Sequence, residues 1–283
     1  MAKERLTITL DDAILEQIDD LINGVTVRNR SHAIESILKK HLEPQCKKVL
    51  ILAAGEGEKL RPLTYELPKA LLPVHGQPLL EHTIELLKKN GFRDIVITVG
   101  HLGDKIREHF RDGSDLGVNI TYSEEPRLLG TAGGIVRARS FVEDGPFLVL
   151  YGDTLFDIDL QKFCEFFFEH EATGAVALTS VQDPSTFGVV QLDGNTIVNF
   201  TEKPSQEKTH SHLISAGIYV FRPDIFDILP AKSPQEPLSL EQDIFPSMVD
   251  EGTLVGYPFS GQWFDITDPG DYERALKKWV PRD

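Results

Sequence analysis

Cysteine is nearly absent from this chain of 283 residues: Cys46 and Cys164 are the only two. That excludes a disulfide framework and a cysteine-rich metal site, and both read as incidental thiols. No run approaches the roughly 18 consecutive apolar residues that a membrane-crossing helix needs. The first residues, Met1-Ala2-Lys3-Glu4-Arg5, lead into alternating polar and apolar positions and not into the apolar core of a secretory leader. A cytoplasmic protein without a membrane partner is the expectation. Positive charge is also scarce, with 29 Lys and Arg against 44 Asp and Glu, a formal net charge of −15. Such a chain is ill suited to non-specific attachment to nucleic acid or anionic lipid, although a local basic phosphate site remains compatible with it.

Two composition regimes follow one another along the chain. Residues 1–46 read as a small module. Arg5-Leu6-Thr7-Ile8-Thr9-Leu10 alternates with period two, which predicts a short strand. Asp11 or Asp12 is placed to cap a helix carrying Ile14, Ile18, Leu21 and Ile22 on one stripe, and Asn23-Gly24 ends it. Arg28-Asn29-Arg30-Ser31 opens a second helix with Ile34, Ile37, Leu38 and Leu42 as its stripe, stopped by Pro44. One strand and two helices cannot bury these faces alone, so the module needs a partner. Its strand–helix–helix order resembles the ribbon-helix-helix family of dimeric DNA-binding repressors. That resemblance implies a homodimer or higher oligomer through residues 1–46, with Arg5, Thr7 and Thr9 as the positions facing a DNA groove and the helix start at Arg30 and Ser31 near a phosphate. Six basic residues against eight carboxylates in the segment weaken the DNA reading, because electrostatics supply most of the affinity for DNA. An accessory helix pair packed on the rest of the chain is the bland alternative.

Residues 47–283 read as a larger α/β domain. Lys48–Leu52, Ile95–Val99, Val118–Tyr122 and Phe147–Tyr151 are apolar or β-branched runs. They alternate with helical patterns over Leu79–Asn90, Asp104–Phe110 and Gly134–Phe141. This order predicts a mixed, mostly parallel sheet with helices on both faces and ligands at the carboxyl ends of its strands. The later strands, around 175–181, 188–192, 196–200 and 216–221, lie closer together and suggest antiparallel neighbours. A Pro-rich loop over 230–237 and a final helix over Asp271–Trp279 complete the chain.

The chemistry-bearing stretch begins where the first of these strands ends: Leu52-Ala53-Ala54-Gly55-Glu56-Gly57-Glu58-Lys59-Leu60-Arg61-Pro62, with Pro68-Lys69 close behind. Small residues and two glycines let backbone N–H groups approach a phosphate chain, and Lys59, Arg61 and Lys69 add positive charge beside it. A tight strand-to-helix turn explains the glycines equally well; it does not explain the basic residues.

Five ordered motifs sharpen this. They are Leu52–Thr64 with Leu67-Pro-Lys-Ala-Leu-Leu-Pro-Val74, then Leu129-Gly-Thr-Ala-Gly133, Gly152-Asp153, Thr201-Glu-Lys-Pro204 and Trp263-Phe-Asp-Ile-Thr267. Together they resemble the sugar-1-phosphate nucleotidylyltransferases. The resemblance implies a Rossmann-like domain that joins an NTP and a sugar 1-phosphate into an NDP-sugar. A phosphate oxygen of the sugar attacks the α-phosphorus, and the bond to the departing pyrophosphate breaks. Leu52, Ala53, Ala54, Gly55, Gly57, Glu125, Gly130 and Thr131 would then contact the nucleotide, and Lys59, Arg61 and Lys69 its phosphates. Asp153 and Asp265, each of which read singly is a turn residue or helix cap, become the two Mg²⁺ ligands. Glu202, Lys203, Gly188 and Gly217 would hold the sugar phosphate. Glu58 and Lys59 depart from the usual hydroxyl residue and arginine at those places. Glu124-Glu125-Pro126 before the Leu-Gly-Thr-Ala-Gly motif resembles the mannose-1-phosphate guanylyltransferases, so GTP is the favoured nucleotide. UTP and dTTP stay open, as does a DNA-binding regulator that senses a sugar nucleotide.

Overall fold

The computed structural model describes residues 7–24, 27–42, 46–205, 211–231 and 236–281. It divides into two compact units, Met1–Gln45 and Cys46–Asp283. In the smaller unit, helix α1 spans Asp12–Asp20 and is capped by the Asp11 carboxylate, which accepts from Ile14 N at 2.9 Å. Helix α2 spans Arg30–Leu42. Ile18 and Ala33 are buried, whereas Ile8, Ile14, Leu21 and Leu38 stay exposed. Residues 7–10 form no strand: a strand needs a ladder partner, and among the described residues of this unit there is none. Thr7 and Thr9 are exposed; Arg5, Leu6 and Pro44 lie outside the described residues. The Arg30 guanidinium is held by both oxygens of Asp19 at 2.6 Å.

The larger unit starts at Cys46 and not at residue 47 as the sequence suggests, because the Cys46 side chain is buried in its core. Strand β1 (Lys48–Leu52) leads to a hairpin of β2 (Pro73–Val74) and β3 (Gln77–Pro78) and to helix α3 (Leu79–Lys89). Then come β4 (Asp94–Val99), α4 (Gly103–Phe110), β5 (Asn119–Glu124), α5 (Gly130–Arg137), α6 (Arg139–Val142) and β6 (Phe147–Tyr151). Beyond these lie β7 (Thr154–Phe156), α7 (Leu160–Phe168), β8 (Gly174–Ser180), β9 (Gly188–Asp193), β10 (Thr196–Glu202) and β11 (Leu213–Phe221). Helices α8 (Ile225–Ile228) and α9 (Phe245–Asp250), strands β12 (Leu254–Pro258) and β13 (Trp263–Asp265), and helix α10 (Pro269–Lys278) close the unit.

Among the described residues, nine strands form one sheet in the order β5-β4-β1-β6-β11-β8-β12-β10-β9. Only β5, β4, β1 and β6 make a continuous parallel block. From β11 onward most neighbours run antiparallel, β8 with β12 being the parallel exception. The sheet is mixed, as expected, but the expectation that it is mostly parallel is corrected, since antiparallel pairings are at least as numerous as parallel ones. The later strands are short-linked or reversed by loops and lack the crossover helices that enforce parallel order.

β1 lies at the middle of the parallel block because Val49, Leu50 and Ile51 are fully buried on both faces. Each such side chain contributes about 1.5–3 kcal/mol on burial. One face is covered by α3, α4 and α7 through Ile84, Ile106 and Phe163, and the other by α5, α6 and α9 through Ile135, Val142 and Phe245. The register aligns Leu52 with Thr98 and with Tyr151, so three strand ends finish at one level. With β4 on one side of β1 and β6 on the other, this is the point where an open α/β sheet leaves a crevice.

Candidate active site

Each half of this crevice follows from local chain chemistry. At the end of β1, Ala53 N donates to Thr98 Oγ1 at 3.1 Å. The loop then turns through Gly57, which has φ +63° and whose carbonyl accepts from Thr64 Oγ1 at 2.8 Å. Leu60 is buried and pins the far side, leaving Gly55, Glu58, Lys59 and Arg61 exposed above it. Arg61 Nη2 lies 3.0 Å from Glu56 Oε2 and 3.5 Å from Glu58 Oε1, so two carboxylates of its own loop share its charge.

Gly152 N donates to Leu52 O at 2.9 Å, and a Cβ on Gly152 would stand 2.9 Å from Ala53 Cβ. The turn after β6 is thus pressed against the loop after β1, which puts Asp153 beside it. Lys69 Nζ meets Asp153 Oδ2 at 2.5 Å. Asp265 arrives from more than a hundred residues away because β13 pairs with β7, Asp265 opposite Thr154. The carboxyl of Asp265 is pushed up to about 6, first by burial and then by the negative charge of Asp153; Lys69 and Thr267 pull it back. Thr267 Oγ1 donates to Asp265 Oδ2 at 2.5 Å.

Two carboxylates close enough to repel one another, with a single lysine between them and the loop, form a donor set suited to a hard divalent cation. Among the described residues no three His, Cys, Asp or Glu side chains form a protein-only cage. A Mg²⁺ at this place would be completed by phosphate oxygens and water, as the two-carboxylate chemistry of phosphoryl transfer requires.

Ahead of α5, Glu125 is buried. Its Oε2 accepts from Leu129 N at 3.3 Å, and burial raises its carboxyl above the usual range, while hydrogen bonds from Thr98 and Leu129 and the charge of Arg137 pull it back. Glu125 thus braces the turn into α5 from within. Its neighbour Glu124 has a side chain 72% exposed, bound to Arg107 at 3.2 Å. Gly130 and Thr131 stand not in a loop before a helix but in its first turn, since α5 begins at Gly130.

On the opposite side, Glu202 faces Gly188 across the β10–β9 ladder, and a Cβ on Gly188 would come 3.0 Å from Glu202 Oε2. Lys203 Nζ is 3.3 Å from Glu202 Oε1. Lys203 has the left-handed φ of +47° that few side-chain-bearing residues adopt. Burial, and next the charge of Glu241, raise the Glu202 carboxyl, against the pull of Lys203. Gly217 packs against the Tyr151 ring, and Trp263 Nε1 donates to Ala216 O at 3.0 Å.

Of the metal and phosphate candidates, Lys69 and Asp153 are in direct contact and Asp265 lies within their electrostatic reach, and the sugar-side candidates meet at Gly188, Glu202 and Lys203. Sequence reasoning missed Thr98, Thr64, Thr267, Tyr151, Tyr219 and Glu241. Isolated threonines and tyrosines carry no spacing signal. For Glu241 the cue was Ser239-Leu240-Glu241, a helix-start pattern following the Pro-rich stretch.

Residues 48–280 match the family model described as nucleotidyl transferase. The chain belongs to this family. A Synechocystis sp. protein named UTP–glucose-1-phosphate uridylyltransferase is 37% identical over 83% of this chain and 64% of its own length. The Xenopus tropicalis mannose-1-phosphate guanylyltransferase catalytic subunit beta is 34% identical over 80% of this chain and 62% of its own. The chain thus spans less than two thirds of the length of these curated relatives. A crystal structure of a Bacillus anthracis protein assigned as a glucose-1-phosphate thymidylyltransferase, bound to sucrose, superimposes with a TM-score of 0.75 at 30% identity. It covers 82% of this chain and 94% of that one. Among the described residues no helix is long and apolar enough to cross a membrane.

Proposed function

We propose that this chain joins an NTP and a sugar 1-phosphate into an NDP-sugar with release of pyrophosphate. The observation that carries the reading is the Lys69–Asp153 contact with Asp265 beside it, set against the glycine loop at the carboxyl end of β1. Loop amides from residues 54–58 cradle the triphosphate, with Lys59 and Arg61 along it. Lys69 neutralises the α-phosphate. Lys203 holds the sugar phosphate and Glu202 accepts from a sugar hydroxyl, which aligns the attacking oxygen with the α-phosphorus and opposite the leaving pyrophosphate. Two polyanions must be brought together, so charge neutralisation and orientation supply the rate. Mg²⁺ held by Asp153 and Asp265 would supply further neutralisation of phosphate oxygens.

GTP with mannose 1-phosphate or a related sugar is the favoured pair. It is supported by the Glu124-Glu125 doublet ahead of α5, since a carboxylate accepts from guanine N1–H and the exocyclic amine together, and by the name of the Xenopus relative. UTP with a hexose 1-phosphate is the second reading, favoured by the name of the Synechocystis relative. A pyrophosphate-release screen of GTP, UTP and dTTP against sugar 1-phosphates in Mg²⁺ tests both. Turnover with one pair and loss of about 10³-fold in Asp153→Ala is the expected outcome. No turnover with any pair would remove the enzymatic reading.

For the smaller unit, dimerisation as a ribbon-helix-helix is proposed. It is supported by the exposed Ile8, Ile14, Leu21 and Leu38, an apolar set too large for an isolated helix pair. Arg30, the side chain expected near a DNA phosphate, is already engaged by Asp19, so no observation favours a DNA-bound regulator.

A further inference from the structure

Glu241 sits in a π-helical turn, Leu240–Ile244, behind the two substrate sides. Among the described residues its carboxylate receives four hydroxyl groups and no cation. Oε1 accepts from Tyr151 Oη and, at 3.1 Å, from Tyr219 Oη; Oε2 accepts from Thr131 Oγ1 at 3.0 Å and Ser239 Oγ at 2.8 Å. A carboxylate has about four lone-pair sites and no proton to give, so all four are used. Only a group that accepts everywhere satisfies these donors at once.

Those donors belong to different parts of the site. Thr131 is in the first turn of α5, on the nucleotide side, and its hydroxyl also accepts from Leu240 N at 2.8 Å. Around it the backbone of 129–133 is zipped to Leu238: Ala132 N to Leu238 O at 2.9 Å and Leu238 N to Leu129 O at 2.8 Å. Tyr151 ends β6, two residues before Asp153. Tyr219 lies on β11, two residues beyond Gly217, and a Cβ at Gly217 would touch the Tyr151 ring at 2.8 Å. The Tyr219 phenol also pairs with Ser215 Oγ at 3.0 Å. Inserted π turns recur at functional sites because they re-aim a side chain.

We propose that Glu241 is a positioning residue that couples the two substrate sides, fixing the start of α5 against β6 and β11 so that nucleotide and sugar phosphate are aligned together. It touches neither reacting phosphate. Its effect passes through Thr131, Tyr151 and Tyr219. The inference rests on the assignment of nucleotide and sugar sides made above.

Steady-state kinetics on the intact chain, with both substrates varied, provide the test. Glu241→Ala is expected to lower kcat/KM about 10²-fold for both substrates, the scale of a misplacement of about 1 Å. Glu241→Gln, which keeps one acceptor oxygen, recovers about tenfold of that loss. Tyr219→Phe, a change on the sugar-side strand, raises the KM for NTP as well as for sugar phosphate, and this cross-effect disappears in the Glu241→Gln background. If Glu241→Ala does not fold, Glu241→Gln and Tyr219→Phe carry the same test. Wild-type turnover with Glu241→Gln and Tyr219→Phe altering one substrate alone, or neither, would overturn the coupling while leaving the reaction assignment intact. A wild type that turns over no pair would overturn the assignment and the coupling with it.

Discussion

Arg61 is held by carboxylates of the same loop that is placed to receive a triphosphate. Glu56 at 3.0 Å and Glu58 at 3.5 Å compete with any incoming phosphate for its guanidinium. Glu58 is largely exposed, at 70% of its side chain, so this pairing is worth only about 0.2–1 kcal/mol. Glu58→Thr removes one competitor and restores a hydroxyl. The KM for NTP is expected to fall by up to about fivefold with kcat nearly unchanged, read from initial rates at fixed sugar phosphate; a raised KM would show that Glu58 assists binding. Glu125 poses the opposite case, a carboxylate with almost no solvent. Burial raises its pKa in the folded state, so the native chain keeps this proton to higher pH than the unfolded chain does. Below the unfolded value of about 4.3 there is no penalty. Stability then declines as pH rises through that value and levels off above the folded one. Glu125→Gln still accepts from Leu129 N and sheds the penalty. Its Tm is expected to exceed that of the wild type by about 2 °C at neutral pH, with the gain vanishing toward about pH 4. Calorimetry at several pH values checks this.

At the scale of elements, the parallel block was legible because its strands are continuous β-branched or apolar runs: Phe147–Tyr151 falls where its residues place it. The close spacing of the later strands made their antiparallel character legible, but not their order in the sheet, because which strand β11 or β12 pairs with depends on contacts far along the chain. Helix α5 shows a second limit. Glycines depress helix propensity, so the sequence pattern points to a helix only from Gly134, whereas α5 begins at Gly130. In the folded chain the carbonyl of Leu238 takes the N–H groups of Ala132 and Gly133, and tertiary contact replaces a local cap. The Lys69–Asp153–Asp265 grouping was legible only through family resemblance; spacing alone says nothing about β13 pairing with β7. The glycines of the two motifs now separate physically. Gly130 has φ +77°, and a Cβ there would lie 2.4 Å from Leu238 O. Gly130→Ala is expected to cost at least about 2 kcal/mol and to lower Tm by several degrees. Gly55 has an ordinary φ and open space around its would-be Cβ. Gly55→Ala should leave Tm unchanged and yet raise the KM for NTP, because the fold does not require that glycine and a close phosphate does. An unchanged KM would move the phosphate away from this loop position.

At the scale of the whole molecule, the question is what a small helical unit adds to a domain whose core is complete without it. The larger unit buries Val49, Leu50 and Ile51 fully and has three apolar clusters of its own. Among the described residues the smaller unit buries Ile18 and Ala33 and leaves Ile8, Ile14, Leu21 and Leu38 exposed. Fully covering four such side chains against a second copy would contribute about 6–12 kcal/mol before association costs, enough to hold a dimer. The net charge of −15 works in the other direction, since like-charged copies repel one another. Assembly should therefore depend on the first segment and chemistry on the second. A chain lacking residues 1–43 is expected to drop to a smaller oligomer by light scattering while its kcat/KM stays within about twofold of the full-length value, because the Lys69, Asp153 and Asp265 cluster and the Glu202–Lys203 pair are all contributed by residues beyond Cys46. An unchanged mass would place the oligomer contact on the larger unit. A reduced mass with turnover lost would mean that the second copy completes the site.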